Sequence, residues 1–131
     1  MIHKSLGSIW PSIVWTSVIF LLLSMSTDGL GGKGLFGIPG LDKVIHFTLF
    51  GVCVFLWGSY YSIDKKYSPP RLLLILILVA SLYGLGMEYY QRYFTNRSFS
   101  LWDALADTIG SIAGAWAVKK SPYGNRGRNQ N

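Results

Sequence analysis

Residues 5–27 read SLGSIWPSIVWTSVIFLLLSMST, a run of 23 residues without a charged side chain. Three more apolar runs follow it, at residues 44–63, 72–87 and 101–118. A helix needs about 20 mostly apolar residues to cross the hydrocarbon core of a bilayer. Because lipid offers no hydrogen-bond partners to the backbone, runs of this length predict membrane-spanning helices.

The composition of the whole chain agrees with this prediction. Of 131 residues, 50% are hydrophobic and only 14% are charged, and the mean hydropathy is +0.34. Soluble domains carry about 25% charged residues. The composition therefore excludes a disordered chain, and the single cysteine, Cys53, excludes a disulfide-stapled mini-protein. We interpret Cys53 as a small apolar filler of the second helix.

The predicted fold is all-α, an integral membrane four-helix bundle. We expect the helices at about residues 8–26, 42–63, 71–91 and 101–118, within one domain of residues 1–120. A disordered basic tail of residues 121–131 follows. The first run also resembles a cleaved signal peptide, with Ser24 and Ser26 near a cleavage site. Its apolar length exceeds the usual 7–15 residues of such a peptide, which favours a retained helix.

The distribution of basic residues predicts the orientation of the bundle. The N-terminal end, the loop after the second helix and the tail together hold eight Lys and Arg residues, whereas the opposite side holds four. Since Lys and Arg concentrate in cytoplasmic loops, both termini are predicted to be cytoplasmic. The basic tail is interpreted as an anchor on anionic lipid, and we predict no nucleic-acid partner.

Polar side chains are concentrated at the predicted outer end of the bundle, where the second and fourth helices begin and the third ends. This polar group consists of Asp42, Lys43, His46, Glu88, Gln91, Arg92, Arg97, Asp103 and Asp107. Ionisable residues inside a span are expensive to bury and indicate a functional site by default. We therefore predict that these nine residues form a ligand-binding site.

Helical spacing supports a shared inner face for this polar group. Asp42 and His46 are four residues apart, and Gln91 and Arg92 follow Glu88 by three and four residues. Residues at those offsets lie on one face of a helix. Gly110 and Gly114 form a GxxxG pair, which allows close helix contact, and Gly84 continues the equivalent stripe of the third helix. An alternative is purely structural, because acidic residues near a helix N-terminus are stabilised by the macrodipole.

The combined motifs resemble the VanZ-like family of small bacterial membrane proteins, whose pattern is DKxxHF, ExxQ, GR-x-x-s and DxxxNxxG. The matching segments are Asp42-Lys43-Val44-Ile45-His46-Phe47, Glu88 with Gln91, Asn96-Arg97-Ser98-Phe99-Ser100, and Asp103 with Asp107, Gly110 and Gly114. Asn96 stands where the family has Gly, and Asp107 where it has Asn. The resemblance implies a bacterial inner (cytoplasmic) membrane protein. The family's named member is associated with glycopeptide resistance, which makes a role in antibiotic susceptibility an expectation only.

Three functions are compatible with these residues. The leading hypothesis is an accessory cell-envelope factor that binds a lipid-linked precursor or another anionic headgroup, with Lys43, Arg92 and Arg97 contacting phosphate. The second is an intramembrane hydrolase or transferase, with His46 and Glu88 or Asp107 as acid and base. For this second hypothesis, a set of carboxylates around a divalent metal is an open alternative. The third is a structural partner of an envelope complex, or a homo-oligomer formed through the GxxxG face. No established catalytic or metal-ligand spacing is present, so we predict no metal and no cofactor.

Overall fold

The computed structural model describes residues 5–25, 38, 40–63 and 70–122, which form four α-helices and no strand. The helices are α1 (Trp10–Ser24), α2 (Leu41–Ile63), α3 (Pro70–Phe94) and α4 (Leu101–Lys120). The prediction of an all-α fold is therefore confirmed. The predicted tail lies outside the described residues, apart from residues 121 and 122.

Two of these helices, α2 and α3, are long and apolar enough to cross a membrane. Helix α1 is apolar but has only 15 residues. Helix α4 has 20 residues, and its composition is less apolar because glycine, alanine and aspartate occupy its packed face. The length and hydropathy of the described helices are therefore consistent with a membrane protein and give two candidate spans.

The ends of the helices carry recognisable local signals. Pro11 lies in the first turn of α1, where its missing N–H group is not needed. The hydroxyl of Ser100 accepts a hydrogen bond from the Asp103 backbone N–H at 3.3 Å and so caps the start of α4. Lys119 and Lys120 lie in the last turn of α4, where the helix dipole favours positive charge.

Helices α2 and α4 approach each other closely at two glycines of α4. A Cβ atom on Gly110 would overlap the backbone carbonyl of Phe47, and one on Gly114 would overlap that of Gly51. Backbone atoms of α2 thus occupy the space that side chains would take. This contact sets the depth at which the polar residues of α2 and α4 meet.

Helix α1 is joined to α2 and α3 by side-chain hydrogen bonds to backbone carbonyls. Trp15 Nε1 donates to the Leu49 carbonyl at 2.9 Å, and Gln91 Nε2 donates to the Leu23 carbonyl at 3.0 Å. The apolar core, to which α4 also contributes, consists of Ile19, Leu23, Leu49, Phe50, Cys53, Val54, Ala80, Met87 and Ala115. Cys53 is a buried free cysteine in this core, as its prediction as an apolar filler requires.

Candidate functional site: a buried polar cluster

Four of the six acidic residues of the chain meet at one end of the bundle. They come from three helices, because α2 and α4 begin at this end and α3 finishes there. We call these residues and their basic partners the polar cluster; it consists of Asp42, Lys43, His46, Glu88, Arg97, Asp103 and Asp107. Seven of the nine residues predicted as a ligand-binding site therefore lie together.

The deepest contact of the polar cluster joins α2 to α4. His46 Nδ1 and Asp107 Oδ1 are 2.9 Å apart, and the two side chains are 1% and 0% exposed. The other carboxylate oxygen of Asp107 lies against Gly84, where a Cβ atom would overlap it. Glycine at position 84 therefore makes room for the carboxylate on α4 between α3 and α2.

The second nitrogen of His46 faces carboxylates and has no hydrogen-bond partner among the residues that the structure describes. Nε2 lies 3.9 Å from Asp42 Oδ1 and 4.0 Å from Glu88 Oε1. Both Nε2 and Glu88 Oε1 are buried without a hydrogen bond in the described part of the chain. Since a buried polar atom without a partner costs about 1–3 kcal/mol, this pair of atoms needs an explanation.

Glu88 also fixes the connection between α3 and α4. Its Oε2 atom accepts a hydrogen bond from the Ser100 backbone N–H at 2.8 Å. Ser100 in turn caps α4 through its hydroxyl. One buried carboxylate on α3 thereby sets the position at which α4 begins, and with it the positions of Asp103 and Asp107.

Two basic side chains contact the outer carboxylates of the polar cluster. Lys43 Nζ lies 3.4 Å from Asp103 Oδ1, and Arg97 Nη2 donates to Asp42 Oδ1 at 3.1 Å. The Lys43 side chain is 47% exposed, whereas that of Arg97 is only 13% exposed. Lys43 is therefore open to solvent on one side while it contacts a buried carboxylate.

A polar cavity of about 470 Å³ opens beside these two cations. Its lining residues are Asp42, Lys43, Asn96, Arg97, Ser98, Ser100 and Asp103. A second cavity of about 550 Å³ lies between α3 and α4 and is almost entirely apolar. The apolar groove is lined by Leu78, Ser81, Leu82, Leu85, Leu101, Trp102, Ala104, Leu105 and Thr108.

Neighbouring residues at the start of α4 line the two cavities. Ser100 and Asp103 line the polar cavity, whereas Leu101 and Trp102 line the apolar groove. Alternate positions of one helix turn therefore face a polar site and an apolar site. This arrangement suits an amphipathic molecule with a charged end and a long apolar chain.

Two residues of the predicted site lie apart from the polar cluster. Arg92 is exposed near the end of α3, and Gln91 is buried but donates its amide to the Leu23 carbonyl. Helix α1 covers the face of α3 that carries Gln91, so this side chain contributes to packing of α1. The sequence prediction did not include Ser100 among the site residues, although Ser100 and Asp103 have the spacing of a helix cap.

Asn96 adopts a left-handed backbone conformation, with φ of +53°, two residues after α3 ends. Glycine is the usual residue in this conformation after a helix, and asparagine is the next most tolerated. The departure from the VanZ-like pattern at this position is therefore conservative in backbone terms. It leaves the neighbouring Arg97 in position to contact Asp42.

The fold and site define a class of small helical protein with membrane-compatible helices and one buried polar cluster. The model of the VanZ/LLP1 family matches residues 4–120, and the chain belongs to this family. Uncharacterized protein C11E3.10 of Schizosaccharomyces pombe is 30% identical over 93 residues. The match covers 70% of this chain and 55% of the yeast protein. No solved structure matches the chain.

Proposed function

We propose that this chain is an integral membrane protein that binds the anionic headgroup of a lipid in its polar cavity. All four helices cross the bilayer in this proposal, both termini are cytoplasmic, and the polar cavity opens to the opposite side. The lipid chain lies along the apolar groove between α3 and α4. The observation that carries the proposal is that neighbouring residues at the start of α4 line the polar cavity and the apolar groove.

The outer surface of the helices supports a membrane location. Large apolar side chains are exposed along α3 and α4, among them Leu74, Leu78, Leu82, Ile109, Ile112 and Trp116. Contiguous apolar surface of this kind is rare on soluble monomers. The carboxylates of α4, in contrast, are buried between helices, so that α4 presents no acidic side chain to the surrounding lipid.

The cations of the polar cavity support an anionic ligand. Arg97 is held by Asp42 with its guanidinium at the cavity wall, and Lys43 extends from the start of α2. A phosphate oxygen can accept charge-assisted hydrogen bonds from both groups, and arginine offers two parallel donors. Asp42 then holds the arginine in place and the serine hydroxyls contribute neutral donors.

The cellular setting that we propose is the bacterial cytoplasmic membrane. A lipid-linked envelope precursor is the ligand class that combines a phosphate with a long apolar chain. A protein that binds such a precursor acts as an accessory envelope factor. Because binding changes the amount of free precursor in the membrane, it is a route to altered glycopeptide susceptibility.

The proposal is tested by calorimetric titration of the purified protein in neutral detergent with three probes. Farnesyl phosphate has both a phosphate and an apolar chain, farnesol has only the chain, and inorganic phosphate has only the headgroup chemistry. We expect farnesyl phosphate to bind more tightly than either of the others. Equal affinity for farnesol would refute a headgroup site, and equal affinity for inorganic phosphate would refute a lipid ligand.

Matched variants assign the binding to the polar cavity. Loss of a charge-assisted hydrogen bond costs about 1.5–3 kcal/mol, so Arg97→Gln is expected to weaken farnesyl phosphate binding roughly tenfold or more. Arg71→Gln makes the same chemical change at the opposite end of α3 and is expected to leave the affinity within about twofold. Equal affinities of the two variants would contradict the proposal.

A second candidate function, hydrolysis or group transfer on the bound lipid, is favoured by the pairing of His46 with Asp107. A carboxylate that holds one imidazole nitrogen leaves the other for acid–base chemistry. The test is release of phosphate from farnesyl phosphate, with His46→Gln as the control variant. Turnover that His46→Gln abolishes supports an enzyme, and absence of release by the wild type refutes hydrolysis.

A further inference from the structure

We propose that Asp42, His46 and Asp103 form a binding site for a divalent transition-metal ion, with Glu88 beside it. The proposal stands on the geometry of the polar cluster and does not depend on lipid binding. It departs from the sequence prediction of no metal. That prediction missed the site because the three residues are separated by intervals of 4 and 57 positions, which match no local metal-binding motif.

The donor atoms are close enough for one ion. One nitrogen of His46 and one carboxylate oxygen each from Asp42 and Asp103 all lie within 4.8 Å of one another. Metal–ligand bonds of about 2.1 Å place neighbouring ligand atoms roughly 3–4 Å apart. Side-chain rotations that displace the donor atoms by a few tenths of an ångström to one ångström therefore bring all three within bonding distance of one ion. The helices do not have to move.

The orientation of the imidazole points to a metal ligand. Asp107 holds Nδ1 at 2.9 Å, which leaves Nε2 directed at Asp42 and Glu88. Metal-binding histidines commonly have their second nitrogen held by a carboxylate in this way. The His46 side chain is 1% exposed, and Nε2 has no hydrogen-bond partner within the residues that the structure describes.

Charge balance gives an independent reason for a cation. The polar cluster contains four carboxylates and two permanent cations, Lys43 and Arg97. With a neutral imidazole, the ionised cluster has two uncompensated negative charges. Buried charge without compensation is strongly unfavourable, and one divalent ion supplies the missing charge.

The mixture of donors favours a transition metal. Imidazole suits Zn²⁺ and iron, and carboxylates suit Mn²⁺ and harder ions, so one nitrogen with two or three oxygens is typical of Zn²⁺ or Mn²⁺. Glu88 Oε1 lies 4.0 Å from His46 Nε2 and has no hydrogen bond to any described residue, so it is placed to become a further ligand. Glu88 Oε2 stays bonded to Ser100 in this arrangement.

The experiment is elemental analysis of protein purified without chelator and without a metal-affinity column. We expect about one equivalent of a transition metal per chain. His46→Gln and Asp103→Asn are each expected to lower the metal content at least tenfold, and Asp107→Asn to weaken binding about 10–100-fold as a positioning residue. Ser111→Ala is the control, because its buried hydroxyl donates only to the Asp107 backbone carbonyl.

A second measurement covers variants that fail to fold. Chelator-treated wild type is heated with and without added Zn²⁺ or Mn²⁺, and we expect the ion to raise the unfolding midpoint. A wild type that contains no metal and gains no stability from either ion would overturn the proposal. Farnesyl phosphate affinity, measured on the same chelator-treated sample, reports separately on the proposed function.

Discussion

The contact between α2 and α4 is tested by adding one methyl group at Gly110. Its Cβ atom would overlap the Phe47 backbone carbonyl, which can move only if the whole of α2 moves. Overpacking of a tight contact costs about 1–3 kcal/mol, and a backbone obstacle places Gly110→Ala near the upper end. Alanine regains about 1 kcal/mol through its higher helix propensity. The expected net loss of unfolding free energy is therefore about 2 kcal/mol, roughly a thirtyfold change in the unfolding equilibrium.

Gly86→Ala is the matched control for this substitution. Gly86 lies in α3 and is exposed, and a Cβ atom there meets nothing within 4 Å. We expect Gly86→Ala to be neutral or more stable by up to about 1 kcal/mol. The two variants make the same chemical change, so their difference of about 2–3 kcal/mol reports the helix contact alone.

The assay is reversible unfolding in mixed micelles with increasing SDS, followed by far-ultraviolet circular dichroism. The midpoint for Gly110→Ala is expected below that of the wild type, and that for Gly86→Ala at or above it. If Gly110→Ala is as stable as Gly86→Ala, α2 and α4 do not pack as closely as described. The contact between His46 on α2 and Asp107 on α4 would then be wrong as well.

Three further substitutions test the site and the topology. Asp107→Ala leaves Nδ1 of a buried imidazole without its partner and is expected to cost about 1–3 kcal/mol in the same unfolding assay. Asp107→Asn keeps an acceptor oxygen and is expected to cost less; equal losses would contradict the buried pair. Gln91→Leu removes the hydrogen bond to the Leu23 carbonyl and is expected to cost about 1 kcal/mol, and an unchanged midpoint would show that this bond does not hold α1. In a chain without its native cysteine, Ser98→Cys is expected to react with an impermeant maleimide in intact cells and Ser121→Cys only after lysis; labelling of both in intact cells would refute a membrane-crossing α4.

The sequence predicts the helices well because their apolar runs are long and are separated by polar residues. The largest difference between the predicted and the observed helix ends is in α3, which continues to Phe94 beyond the predicted end near residue 91. A sequence run cannot locate this end, because it is set by the connection in which Glu88 binds the Ser100 N–H group. The hydropathy signal that marks a helix is weakest in α4, because its glycine and alanine residues provide close packing but add little hydropathy.

The polar cluster could be predicted only in part, since spacing along one helix says which residues share a face but not what covers that face. The interval between Asp42 and His46 correctly predicts a common direction. For Glu88, Gln91 and Arg92 the same argument fails, because α1 covers Gln91 and nothing in the described residues covers Arg92. The contact of His46 with Asp107 spans 61 positions and depends on the approach of two helices.

Native mass spectrometry of the protein released from mild detergent tests the proposed lipid site most directly. We expect the wild type and Arg71→Gln to retain one phosphate-containing lipid per chain, and Arg97→Gln to lose it while keeping the same helical content. Equal retention by all three proteins would contradict the assignment of the polar cavity as the headgroup site. Absence of any retained lipid from a folded wild type would contradict the proposed function itself.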